Sequence, residues 1–238
     1  MHNVNLKKAR DFILLNARLI ERHLFSFHFE KAPPQRVRAA LTGYCHESGL
    51  YGFGLEPDKR ATDPQPIDQA IALEILDTIE AKAECFISVC NGLSDLSNGD
   101  GGLPFSHPSV ETAPHAFWWD CPQKQPSSIN PTGIILSLLW KNTIHHPWMD
   151  QAETFCWDAI NHIPEDSSHS LLNALAFLSQ YPDQDHAYPF LQGLGEKIRT
   201  STNLDPHAEG YVVSPPILLQ RRQVLRQLSL LKLNYSHI

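Results

Sequence analysis

At 238 residues, with 42% apolar and 19% charged side chains, the chain has the composition of one globular domain with a sizeable core. Its formal charge of −7 and pI near 6.0 argue against nucleic-acid binding, which needs a basic footprint. No stretch approaches the ~20 consecutive apolar residues of a membrane helix, and five widely spaced cysteines with no CxxC pair fit reduced thiols in a cytoplasmic protein.

In chain order, Ala9, Ile13, Ala17, Ile20, Leu24 and Phe27 recur at helical spacing and predict one helix over Lys7 to Phe29, stopped by Pro33-Pro34. A second helix is expected from about Gln35 to His46. The loop GLYGFGLEPDKRATDPQP follows, and a third helix runs from Ile67 to about Lys82, with Pro66 in its first turn and Asp63 as a cap. Ile71, Ile75, Leu76 and Ile79 form its buried face. A shorter apolar segment, Cys85 to Leu96, leads into the loop that organises the chain.

That loop opens at Gly99 with GDGGLPF and runs through PHAFWWDC to Asn130-Pro131, which open a helix to about Asn142. A loop of this length inside a domain is usually functional or disordered. Phe117, Trp118 and Trp119 would be left in water by disorder, so an ordered loop lining or covering a cavity is expected. Further helices are predicted over Trp148 to Asn161, Leu171 to Gln180 (capped by Ser167) and Ala187 to Thr200. Tyr181-Pro182-Asp183 forms a turn between the last two. With no sustained period-2 alternation, the class is all-α. The two loops share a layout, each a Gly-rich turn, an acidic Pro-containing stretch and a Pro-started helix, which points to repeated hairpins over a shared core.

The turn GDGGLPF, Gly99 to Phe105, resembles the aromatic-Gly turns of the terpenoid-cyclase and protein-prenyltransferase superfamily. GFGLEPDKRATDPQP, PHAFWW and NPTG together resemble a bacterial prenyltransferase- or squalene-cyclase-like group. The resemblance spans roughly Ala9 to Ser214 and implies an α/α-toroid-like array of helical hairpins, with residues 215–238 as a divergent C-terminal helix or tail. It implies an isoprenoid or other apolar ligand. The chain carries neither the DxDD acid motif nor a DDxxD motif. It also has fewer hairpins than a closed toroid needs, so an incomplete toroid with exposed apolar faces is expected, and such faces predict a partner or homodimer. The Arg221, Arg222, Arg226 and Lys232 cluster in the tail reads as a solvated face.

Each chemical candidate has a functional and a plainer reading. Glu56 and Asp58 can form an acid/base pair or hold a cation, or they can cap the next turn. Asp100 can be a cavity proton donor raised by burial, or it can bond its own backbone two residues on. His107, Glu111 and His115 have a metal-like spacing, but Pro108 and Pro114 forbid the helix that would align them. Zinc held by Asp120, Cys121 and a remote His145, His146 or His162 lacks supporting spacing, so no metal and no cofactor is assigned. Trp118 and Trp119 can wall a ligand site or clamp the loop, with one expected inward and the other facing a cavity. Cys45 and His46, adjacent on a helix, cannot face each other.

Three functions follow. The first is an isoprenoid-binding or cyclase-like protein, with Trp118, Trp119, Phe105 and Phe53 lining the cavity and Asp100, Glu56 or Asp58 donating the proton. The second is a carbohydrate-active α/α protein with Glu56 and Glu111 as paired carboxylates; His115 and Glu111 also stand with the aromatics as expected substrate-binding residues. The third is a helical interaction scaffold. Fold alone does not choose among them.

Overall fold

The computed structural model describes residues 5–163 and 168–201. Among them are nine α-helices and no strand: α1 Leu6–Asn16, α2 Leu19–Glu30, α3 Pro34–Thr42, α4 Pro66–Thr78, α5 Ala83–Leu96, α6 Ile129–Lys141, α7 Trp148–Ile160, α8 Ser168–Gln180 and α9 Gln184–Ser201. The all-α expectation holds. Consecutive helices α4–α5, α6–α7 and α8–α9 are neighbours, α6 packs between α4 and α8, and α5 touches α7. These contacts describe an array of helical hairpins with α6 at its centre. Every α6 residue from Pro131 to Leu139 is buried, as the apolar run IILSLL requires of a helix covered on all sides.

The single helix expected over residues 7–29 is two. Ala17 and Arg18 are extended, with ψ of 160° and 167°. The cause is non-local: the Arg18 guanidinium donates to the carbonyls of Gly54 and Leu55 at 2.8 and 2.9 Å and pairs with Glu21. The helix expected to start at Gln35 begins at Pro34, because a proline at the first helical position gives up only an amide that has no partner there. It ends at Thr42, short of His46. The helix α4 ends at Thr78 rather than near Lys82, and Gln65, not Asp63, occupies its N-cap position. At α6 the capping side chain is Ser128, which accepts from the Asn130 amide. Asn130 itself is non-helical (φ −101°, ψ 108°), so the regular turns begin at Pro131. The helix α9 starts three residues early, where Asp183 accepts the His186 amide. The predicted cap Ser167 and the chain from residue 202 onward, including the expected tail, lie outside the described residues.

Most of the apolar core forms one cluster shared by α2 to α9. A second, small cluster of Ala61, Val110, Trp119 and Cys121 sits apart, with Phe105, Ile67, Ala113 and Ala116 against it. It lies under the two long loops, and it places the site described next.

Candidate functional site

The first loop (residues 43–65) and the second (residues 97–128) join each other directly. The Arg60 amide donates to the Pro114 carbonyl, and the Ala116 amide to the Asp58 carbonyl, both at 2.9 Å. The first turn of α4 fastens the two loops from beneath. Gln65, 1% exposed, accepts the His107 amide and donates to the Ser109 hydroxyl. Gln69 exchanges two hydrogen bonds with the backbone of Tyr51. Asp68 accepts the Glu56 amide at 2.8 Å and the Lys59 ammonium at 2.5 Å. The Lys59 and Asp68 side chains are both 0% exposed, a fully buried ion pair. Burial pulls the Lys59 ammonium down and pushes the Asp68 carboxyl up, and each partner opposes the other's shift.

On this base, Asp58 accepts two indole N–H groups, Trp118 at 2.8 Å and Trp119 at 2.7 Å, one on each carboxylate oxygen. Capping of the following turn is therefore not what Asp58 does. The two tryptophans part company: Trp119 is 5% exposed and stacks on Phe105 at 4.7 Å and 6°, whereas Trp118 is 52% exposed beside Phe117 at 78%. Glu56 lies half-buried against Asp58. Its carboxyl is pushed up to about 7, first by burial and then by the Asp58 carboxylate, which also accepts its proton. This chain of contacts, Glu56 to Asp58 to Trp118, joins a poised acid to an exposed aromatic face.

A second constellation lies within the second loop. Pro108–Thr112 forms a 3-10 turn, and the chain then doubles back so that the His115 backbone bridges to Lys59. That return, rather than a helix, brings Glu111 and His115 together. His115 Nε2 stands 3.2 Å from Asp120 Oδ1 and 3.8 Å from Glu111 Oε1. Its Nδ1 lies 2.7 Å from the Ala113 carbonyl. The imidazole is raised above its ordinary value by that carbonyl first, then by the two carboxylates against some desolvation. His107 stays out of this group and pairs with Ser109. Cys121 turns away from Asp120, donating its buried thiol to the carbonyls of Ser106 and Gln123. His146 faces Asn91 and accepts the Trp148 amide, and His162 contacts the Asp158 carbonyl. The Asp120–Cys121–histidine arrangement is thus not assembled.

The remaining candidates are dispersed. Asp100 is exposed on the surface, accepting the Gly102 amide at 3.1 Å and the Ser127 hydroxyl at 2.6 Å. The cavity proton donor expected there is instead the turn-bonding Asp that a Gly-Asp-Gly-Gly sequence favours. Phe53 is 46% exposed, at φ 53°, near His46, and takes no part in a wall with Trp118. Phe105 and Trp119 are packed on each other in the small core. A separate cleft of about 260 Å³ lies between α2 and α4, floored by Ile20, Leu24, Leu55, Ile71 and Ile75. None of the expected site residues lines it.

Lys59, Asp68, Gln65 and Gln69 escaped the reading of the sequence. The signal was present: Asp68 and Gln69 interrupt the otherwise apolar PIDQAIALEIL, and polar side chains on a buried helix need partners. No protein-family model matches the chain, and neither curated proteins nor solved structures yield a similar one.

Proposed function

We propose that the joined loops form a ligand site for a carbohydrate, with Glu56 as its general acid/base. The observation that carries this reading is the Glu56–Asp58–Trp118 unit: a half-buried carboxyl poised near 7, an acceptor held by two indoles, and an exposed indole face. A carboxyl titrating near neutrality has its proton available to give and regain at cellular pH. Flat apolar faces of a sugar ring pack on an indole, and Trp118 presents one to solvent. Glu111, expected as the second carboxylate, stands instead with His115 and Asp120. Asp58 takes its place beside Glu56 as a positioning group, because carboxyls in direct contact leave no room for the ~5–9.5 Å geometries of paired glycosidase acids.

A thermal-shift panel of short oligosaccharides tests this. A sugar at about 100 times its Kd should stabilise the chain by about 2.7 kcal/mol. Trp118→Ala should remove the shift, and Glu56→Gln should keep the shift while losing turnover. No shift with any sugar, or a shift that survives Trp118→Ala, overturns the reading.

A second reading keeps the isoprenoid ligand implied by the sequence resemblance and places its chain on the apolar floor of the α2–α4 cleft. It supports binding more than cyclisation, since a carboxyl raised to about 7 is a weak acid for protonating an alkene. Prenyl diphosphates in the same panel address it. A homodimer or partner surface finds support in Phe12, Leu15, Leu19 and Phe29, which are 57–80% exposed on α1 and α2.

A further inference from the structure

Glu111, His115 and Asp120 bring three side chains with metal-ligating atoms together in the second loop. One ligand atom from each lies within 4.8 Å of the other two. The Ala113 carbonyl can only accept, so His115 Nδ1, at 2.7 Å from it, must carry the ring hydrogen. In the neutral ring Nε2 carries the lone pair, 3.2 and 3.8 Å from carboxylate oxygens. The three ligand atoms gather where either a proton on Nε2 or a bound cation can sit between them, and Glu111 Oε1 also accepts the Cys121 amide.

The His115–Asp120 distance suits a shared ion. Ligand atoms bound at 2.0–2.2 Å to one tetrahedral or octahedral centre stand about 3.0–3.5 Å apart. The His115–Asp120 separation falls in that range, and the His115–Glu111 separation is a few tenths of an ångström longer. The imidazole is also oriented as metal-bound histidines usually are, with its other ring nitrogen donating to a backbone carbonyl. The backbone beneath is fixed from several sides. His115 bridges to Lys59, the Ala116 amide donates to Asp58, and the Cys121 amide donates to Glu111 Oε1. Glu111 and Asp120 are 40% and 64% exposed in their side chains, which leaves the outer face open to water or a substrate oxygen.

We propose that Glu111, His115 and Asp120 form a divalent transition-metal site, with one imidazole and two carboxylates on one face of the ion and open positions on the other. One nitrogen and two oxygens suit Zn²⁺, Mn²⁺ or Fe²⁺ better than a thiolate-seeking ion. The site takes Asp120 from one set weighed from the sequence and Glu111 with His115 from the other, joined by the turn of the loop and without Cys121 or His107, and it stands independently of the carbohydrate reading.

The test is titration of the full chain with Co²⁺, followed by visible absorption, and with Zn²⁺ in competition. One equivalent of Co²⁺ should bind with a d–d spectrum of an N/O set lacking the intense thiolate band. His115→Ala should weaken binding by at least about tenfold, and Asp120→Ala by a comparable factor. Asp120 is mostly exposed, so Asp120→Ala keeps the test decisive should His115→Ala fail to fold. Absence of saturable Co²⁺ binding overturns the proposal and leaves a proton between these groups. Saturable binding unchanged in Asp120→Ala overturns it equally and assigns the ion to other surface histidines.

Discussion

Glu56 and Lys59, three positions apart, answer burial in opposite ways. Glu56 keeps its proton to about pH 7, while an unfolded glutamate releases it near 4.5. Between those values the folded chain binds more protons than the unfolded one, so this group's contribution is complete below about pH 4.5 and is lost as pH rises to 7. Glu56→Gln should therefore flatten that part of the stability profile. At pH 8 the variant should exceed the parent by about 1 kcal/mol after allowance for solvent screening, or ~2–4 °C in Tm, with no difference at pH 4. Thermal melts at the two pH values check this. Lys59 has no such freedom. Lys59→Met would strand Asp68 without a counter-charge in a fully buried position, and should cost about 3–5 kcal/mol in a denaturant titration. Adding Asp68→Leu should recover much of the loss, because an apolar pair in place of a buried ion pair is often neutral.

At the scale of elements, the GDGG turn shows how one glycine can be fixed and its neighbour free. Gly101 has φ +84°, and a Cβ there would meet Gln151 Cβ at 2.4 Å and the Ala152 nitrogen at 2.9 Å, on the α7 backbone. Gly101→Ala must distort the turn or lift it off α7, and should cost at least ~1–3 kcal/mol. Gly99 has nothing within 4 Å, so Gly99→Ala should change stability by less than about 0.5 kcal/mol. Paired chemical denaturation of the two variants makes the comparison. The same scale explains what the sequence made legible. The helix α7 was readable because its apolar period and the bordering proline agreed locally, with Pro147 before Trp148. The break at Ala17–Arg18 was not, because its cause is the Gly54 and Leu55 carbonyls, 36 and 37 positions away. The second loop was recognisable as ordered from its aromatics. That its Trp118 and Trp119 converge on Asp58 depended on a loop pairing no local pattern encodes.

Across the whole molecule, the hairpin array and the joined loops divide the work. The array buries the long apolar helices around α6. The loops, with their own four-residue core and the polar first turn of α4, assemble the Glu56–Asp58 pair, the Lys59–Asp68 ion pair and the Glu111–His115–Asp120 group. That division was partly readable: hydrophobic period located the hairpins, while the departures from it at Asp68 and Gln69, where the loops attach, went unread. Glu111, His115 and Asp120 illustrate the limit, since the prolines that ruled out a helix were the same residues that turned the chain back on itself.

The bonds from Trp118 and Trp119 to Asp58 close segments of 60 and 61 residues. Closing so long a segment carries an entropy cost that helix formation within a hairpin does not, so these contacts belong to the late part of folding. During refolding the far-ultraviolet signal should therefore recover ahead of the indole fluorescence of this pair, isolated by replacing Trp140, Trp148 and Trp157 with phenylalanine. Coincident recovery would mean that the two straps meet while the helices are still forming. A protein arrested between those stages would already have its scaffold while lacking the chemistry that scaffold exists to hold.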